Sequence, residues 1–176
     1  MGRVTVIKLN DLDAKDLRLY MDCFRKQNIN FVEILFTEFK VVNPKYEAQW
    51  DRLVDAREQV GRYDMKRALN CITGMCYEKD KALCHPYPTL VEKLEKYGYD
   101  GKQLSHCMRV YHFMGLYLAG VPYESCLKVG HNKELADYLR RVKRNECGDV
   151  EWAKQKSKWL CEVTKGMKDH KIKKHP

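Results

Sequence analysis

Lys102, His106, Arg109 and Phe113 follow one another at intervals of four, three and four residues. On an α-helix that spacing brings all four side chains to one face. An ammonium, an imidazole, a guanidinium and an aromatic ring together can grip a phosphate and stack against a base. An ordinary solvated face, with His106 paired to a neighbouring carboxylate, satisfies the same spacing. Arg62, Lys66, Asn70, Thr73 and Tyr77 are spaced to lie along another helix and could continue a phosphate-contacting surface, although any exposed helical hairpin shows polar faces of this kind. Arg140, Arg141, Lys154, Lys158 and Lys165 complete the candidate phosphate contacts.

The whole chain leans the same way. It has 33 Lys and Arg against 24 Asp and Glu, a formal net charge of +9. A positive surface potential attracts polyanions, and nucleic acid is the polyanion a soluble protein most often meets. From Lys154 onward eight lysines stand against only Glu162 and Asp169, with Trp152 and Trp159 close by. Lysines on flexible stems contact phosphates without regard to sequence, and that binding weakens steeply with salt. A frayed, solvated terminus has the same composition.

Chemistry of other kinds finds little support. The chain holds no G-x-x-x-x-G-K-[ST], G-x-G-x-x-G, G-x-S-x-G or H-E-x-x-H. Asp11 and Asp13 form a D-x-D pair that could chelate magnesium from a strand, but they precede a helix-compatible run and suit helix capping better. Eight cysteines are scattered at positions 23, 71, 76, 84, 107, 126, 147 and 161. In a reducing compartment these read as small core residues, and C-x4-C-x7-C-H over Cys71, Cys76, Cys84 and His85 lacks the paired knuckles of a zinc site. Neither a metal nor a cofactor is expected. No signal-peptide run and no apolar stretch of membrane-spanning length occurs, so the chain is expected to stay in the cytosol and off the membrane.

The elements that must position these residues are helical. Val4 to Ile7 favours a short strand, Asn10-Asp11 a turn or cap, and Asp13 to Gln27 a helix. Phe31 to Val42 reads as a short helix or an extended segment. Asn43-Pro44 opens a helix to Val60, Gly61 breaks it, and another runs from about Tyr63 to Leu83. Thr89 caps Leu90 to Tyr97. Leu104, Met108, Tyr111, Gly115 and Leu118 form the apolar stripe of a helix from Lys102 to Ala119. Further helices fall at Lys133 to Asn145 and Val150 to Lys165, the last ending in a lysine-rich tail. The expected fold is mainly α: a compact helical bundle with room for one short N-terminal strand or hairpin. Residues 1–150 read as the helical domain and 151–176 as a basic C-terminal helix and tail.

Three segments, DLRLYMDCFRKQNINFVEILFTEFKVVNPKYEAQW at 16–50, GRYDMKRALNCITGMCYEKDKAL at 61–83 and KQLSHCMRVYHFMGLYLAG at 102–120, carry a resemblance. Together they resemble the C-terminal helical portion of bacterial and phage predicted nucleotidyltransferases of the DNA polymerase β superfamily, in which a later helix bears K-x-x-x-H-x-x-R. Lys102, His106 and Arg109 match that pattern. The family's catalytic palm opens with Gly-Ser and a strand D-x-D. No Gly-Ser dipeptide occurs here, and the similarity places the chain after that motif, so the resemblance implies no catalytic residue and no transfer activity. The resulting expectation is a noncatalytic basic helical protein that binds nucleic acid or a nucleoprotein complex. Family context extends it to a phage-derived inhibitor of host nucleic-acid-targeting defence such as a CRISPR effector. The alternative is an accessory or nucleotide-binding subunit of a split nucleotidyltransferase.

Overall fold

A computed structural model of the chain describes residues 6–9 and 12–174, and it is mainly helical: ten α-helices and two four-residue strands among those residues. They fall into two units, one running to Cys71 and one from Ile72, and the boundary lies inside the helix Met65–Ala82.

In the first unit, β1 (Val6–Leu9) and β2 (Leu12–Lys15) pair antiparallel, with Leu9 opposite Leu12 and Val6 opposite Lys15. The helix expected from Asp13 therefore starts later. Asp13 sits in β2, and α1 (Leu17–Arg25) is capped by Asp16, whose carboxylate accepts the Arg18 N–H at 2.7 Å. The capping assigned to Asp13 belongs to Asp16, because only the residue just before the first helical turn can reach its free amides. Asn10, Asp11, Val4 and Thr5 lie outside the described residues.

The FVEILF run is a short helix, α2 (Ile29–Val32), continued as a 3-10 turn to Phe36. Asn43 does cap, accepting the Lys45 N–H at 3.0 Å, and a 3-10 turn from Pro44 leads into α3 (Glu47–Asp55). The single helix expected to reach Val60 is interrupted at Ala56, and α4 (Arg57–Gly61) follows. Gln27 explains how the end of α1 is held. It takes a left-handed backbone, φ 55°, and its side-chain amide donates to the carbonyls of Phe24 at 2.8 Å and Val60 at 2.7 Å.

α5 (Met65–Ala82) crosses the boundary, and the second unit continues with α6 (Val91–Tyr97), α7 (Gly101–Leu118), α8 (Tyr123–Leu127), α9 (Lys133–Lys143) and α10 (Val150–Lys174). Thr89 does not cap α6. It lies within the 3-10 turn Pro88–Leu90, and the residue preceding α6 is Leu90, which makes no capping bond.

α7 is the axis of this unit, packed against α8, α9 and α10. Its buried positions, Leu104, Cys107, Met108, Val110, Phe113, Met114 and Tyr117, run most of the way around the helix. The expected stripe is thus only part of the buried surface, and Tyr111, Gly115 and Leu118 are half-buried. Closeness to α9 is built in at Gly101, where a Cβ would overlap the carbonyl oxygen of Val142. Asn145, itself left-handed at φ 61°, donates from its side chain to the Tyr99 carbonyl at 2.9 Å, while Tyr99 donates its hydroxyl to the Cys147 carbonyl at 3.1 Å. Asp100, between them, caps α7 and meets the Lys93 ammonium at 2.5 Å.

α10 does not end at Lys165. It runs to Lys174, burying Ala153, Ser157, Leu160, Cys161 and Thr164 on one side. Five cysteines are buried, in keeping with their reading as small core residues. The Cys107 thiol is within hydrogen-bonding reach of Cys161 and Cys76, which tie α10, α7 and α5 together and, with burial, push its pKa up. Among the described residues, no three His, Cys, Asp or Glu side chains come together to hold a metal ion.

Candidate nucleic-acid interface

Lys102, His106 and Arg109 lie along one face of α7. Lys102 and Arg109 are exposed and His106, one turn from each, is half-buried. The Nε2 atom of His106 is buried and has no hydrogen-bond partner. Burial and the nearby cations Arg109, Lys79 and Lys102 hold its pKa down to about 4, against a weaker pull upward from Glu78. The imidazole is therefore neutral at pH 7. A buried polar atom without a partner costs about 1–3 kcal/mol.

Glu78 acts on His106 through space, and its carboxylate is engaged by Lys79 at 3.1 Å. Among the described residues neither Lys102 nor Arg109 has a carboxylate partner. Other cations do form ion pairs, among them Arg25 with Asp22, Arg67 with Asp64, Lys93 with Asp100, Lys128 with Glu124 and Arg140 with Asp137. Lys79 reaches the His106 site from α5, a convergence that spacing along a single helix could not reveal.

Phe113 does not join this face. It is buried, stacked on Tyr117 with ring centres 5.8 Å apart and meeting Tyr123 edge-on at 5.1 Å, because α8 covers the helix there. The stacking role expected of it is corrected to a core role. The second expected stripe also fails to form as one face. Arg62 precedes α5 and lies within 3.9 Å of Glu58 on α4, Lys66 is exposed in the first unit, and Thr73 is buried.

On α10, Lys154, Lys158 and Lys165 are all exposed and share one face that flanks the buried Ala153–Thr164 row. Lys154 pairs with Glu151 at 2.8 Å, whereas Lys158 and Lys165 have no carboxylate partner among the described residues. Trp159 is exposed on another side of α10, with the Lys156 ammonium 4.4 Å from its ring centre and Tyr111 of α7 at 5.6 Å. On α9, Arg140 pairs with Asp137, and Arg141 is exposed with no carboxylate partner among the described residues.

The charge follows the same division. Residues 72–176 hold 20 of the 33 basic and 13 of the 24 acidic side chains, leaving +7 there and +2 in residues 1–71. No described helix is long and apolar enough to cross a membrane. In comparisons with protein-family models, curated proteins and solved structures, no match to this chain was found.

Proposed function

We propose that the second unit binds nucleic acid, alone or within a nucleoprotein complex, and does no chemistry on it. The observation that carries this reading is the pair of exposed cations without carboxylate partners, Lys102 and Arg109, on either side of the neutral, half-buried His106. A guanidinium and an ammonium free of internal partners keep their full charge for a phosphate, and the imidazole adds a hydrogen-bonding group without a third charge. Lys158 and Lys165 on α10 and Arg141 on α9 add diffuse attraction, which draws the polyanion in but does not orient it.

Fluorescence anisotropy of labelled single- and double-stranded oligonucleotides against the full chain, over a range of salt, tests the proposal. Affinity is expected to fall linearly on a log–log plot as salt rises. Absence of binding to every oligonucleotide at low salt would refute it. Pull-down from extract with and without nuclease adds the second arm: capture of a small palm-type subunit that survives nuclease would favour the split-nucleotidyltransferase alternative.

A further inference from the structure

Phe39, 94% exposed, and Val41, 102% exposed, stand almost entirely in water. They lie in the stretch between Phe36 and Pro44, which has no regular element, and the Thr37 hydroxyl shapes its start by accepting the Phe39 N–H at 3.2 Å. Exposed apolar groups clustered in this way mark a contact surface.

The same unit holds the hollows such groups fit. A groove of about 350 Å³ between α1, α3 and α4 is lined by Met21, Val60 and Tyr63 among others, and a second hollow of about 310 Å³ by Leu17, Ile34 and Trp50 among others; Phe24 and Leu53 border both. Both are reachable from solvent, since Leu17, Met21 and Tyr63 are exposed. Lys40 ties the Phe39–Val41 stretch to their edge, its ammonium 5.8 Å from the centre of the Trp50 ring. Apolar projection and apolar recess are therefore neighbours on one surface.

That adjacency identifies the occupant. A surface with a projection beside a matching recess is self-complementary: about a two-fold axis, each copy offers its projection to the other's recess, and the contact closes at two copies. Charge agrees. Arg25 and Lys15 are among the residues lining the hollows and no carboxylate is, whereas Glu38 directly precedes Phe39. Arg25 also meets Asp22 at 3.3 Å, but a guanidinium has donors to spare for a second carboxylate. We infer that the first unit is a self-association surface, on which Phe39 and Val41 of each copy fill the apolar hollows of a second copy to give a homodimer.

Sedimentation equilibrium of the nuclease-treated full chain over a range of concentrations tests this. The mass should rise from monomer to dimer, with a dissociation constant in the micromolar range of a small interface. Phe39→Ser with Val41→Ser should weaken the dimer about thirtyfold or more, the loss of a central aromatic anchor. Met21→Glu in the groove should weaken it comparably, and Tyr63→Asp, at a more exposed lining residue, takes its place should Met21→Glu fail to fold. An equimolar mixture of the projection and groove variants should associate more tightly than either alone, because the intact groove of one receives the intact Phe39 of the other. A monomer at every concentration would overturn the inference, leaving the groove to another protein or to Phe39 of its own chain. Species larger than a dimer, or a mixture no tighter than its components, would overturn it equally.

Discussion

The first unit carries +2, the second +7. The first leaves Leu17, Phe39 and Val41 largely exposed, and an apolar groove of about 350 Å³ opens between α1, α3 and α4, lined by Met21, Phe24, Leu53, Val60 and Tyr63 among others. In the second, the exposed large apolar groups are nearly all rings with a polar atom: Tyr77, Tyr87, Tyr97, Tyr138 and Trp159. Of the 26 buried apolar residues among those described, 19 belong to the second unit. Burial and net positive charge are therefore both concentrated in the second unit. A cation without an internal partner is useful for recognition only if its backbone is held still, and α7, buried on most sides, holds Lys102 and Arg109 in that way.

The largest effect should come from breaking that support. Gly101→Val puts a side chain where the Val142 carbonyl already lies, and a loss of more than about 3 kcal/mol is expected from forced separation of α7 and α9. Urea denaturation followed by tryptophan fluorescence, to which Trp152 and Trp159 contribute, measures it. A change under 1 kcal/mol, roughly that of an exposed surface site, would show the contact to be dispensable and the contrast in packing overstated.

Next comes the response to pH. The folded pKa of His106 is about 4, well below its ordinary 6.5, so between those values the unfolded chain binds more protons than the folded one. Its contribution to stability is present above pH 6.5 and is lost as pH falls toward 4, about 3.4 kcal/mol before allowance for the ring's partial exposure and less after it. His106→Gln should flatten the stability curve in that window. A wild-type curve already flat there would contradict the placement of the ring.

Arg109→Ala should cost about 1.5–3 kcal/mol of binding through lost charge-assisted bonds. Its stability should change by no more than about 0.5 kcal/mol, as at other exposed sites. Large destabilisation with binding intact would turn the comparison around, making Arg109 a structural residue. The smallest effect separates the units by their salt dependence. Lys158→Ala with Lys165→Ala should lower the slope of log affinity against log salt by about 1.5–2, whereas Arg62→Ala with Lys66→Ala in the first unit should leave it nearly unchanged. Equal changes for the two pairs would remove the distinction between the units.

Much of this architecture is legible before any coordinates. Asn43 before Pro44, Gly98 after Tyr97 and Gly120 before Pro122 punctuate the chain because capping and left-handed turns depend on a few residues' own backbone preferences. Periodicity likewise places Lys102, His106 and Arg109 on one face, since the angle between helical positions is a property of the helix itself. Periodicity describes directions around one axis, however, and not what stands in each direction. Phe113 and Thr73 share polar faces by angle and are buried by their neighbours. Lys79 arrives at His106 from another helix, and the missing carboxylate beside Arg109 is a relation among several elements. Asp13 reads as a cap by sequence and lies in a strand, because its backbone pairs with Lys8 of the adjoining strand instead of opening the helix, an equally local alternative that period and capping patterns do not rank. The helical segments and the face they present were local properties of the chain; the depth of His106 and the freedom of the two cations beside it came from packing, which local preferences do not encode.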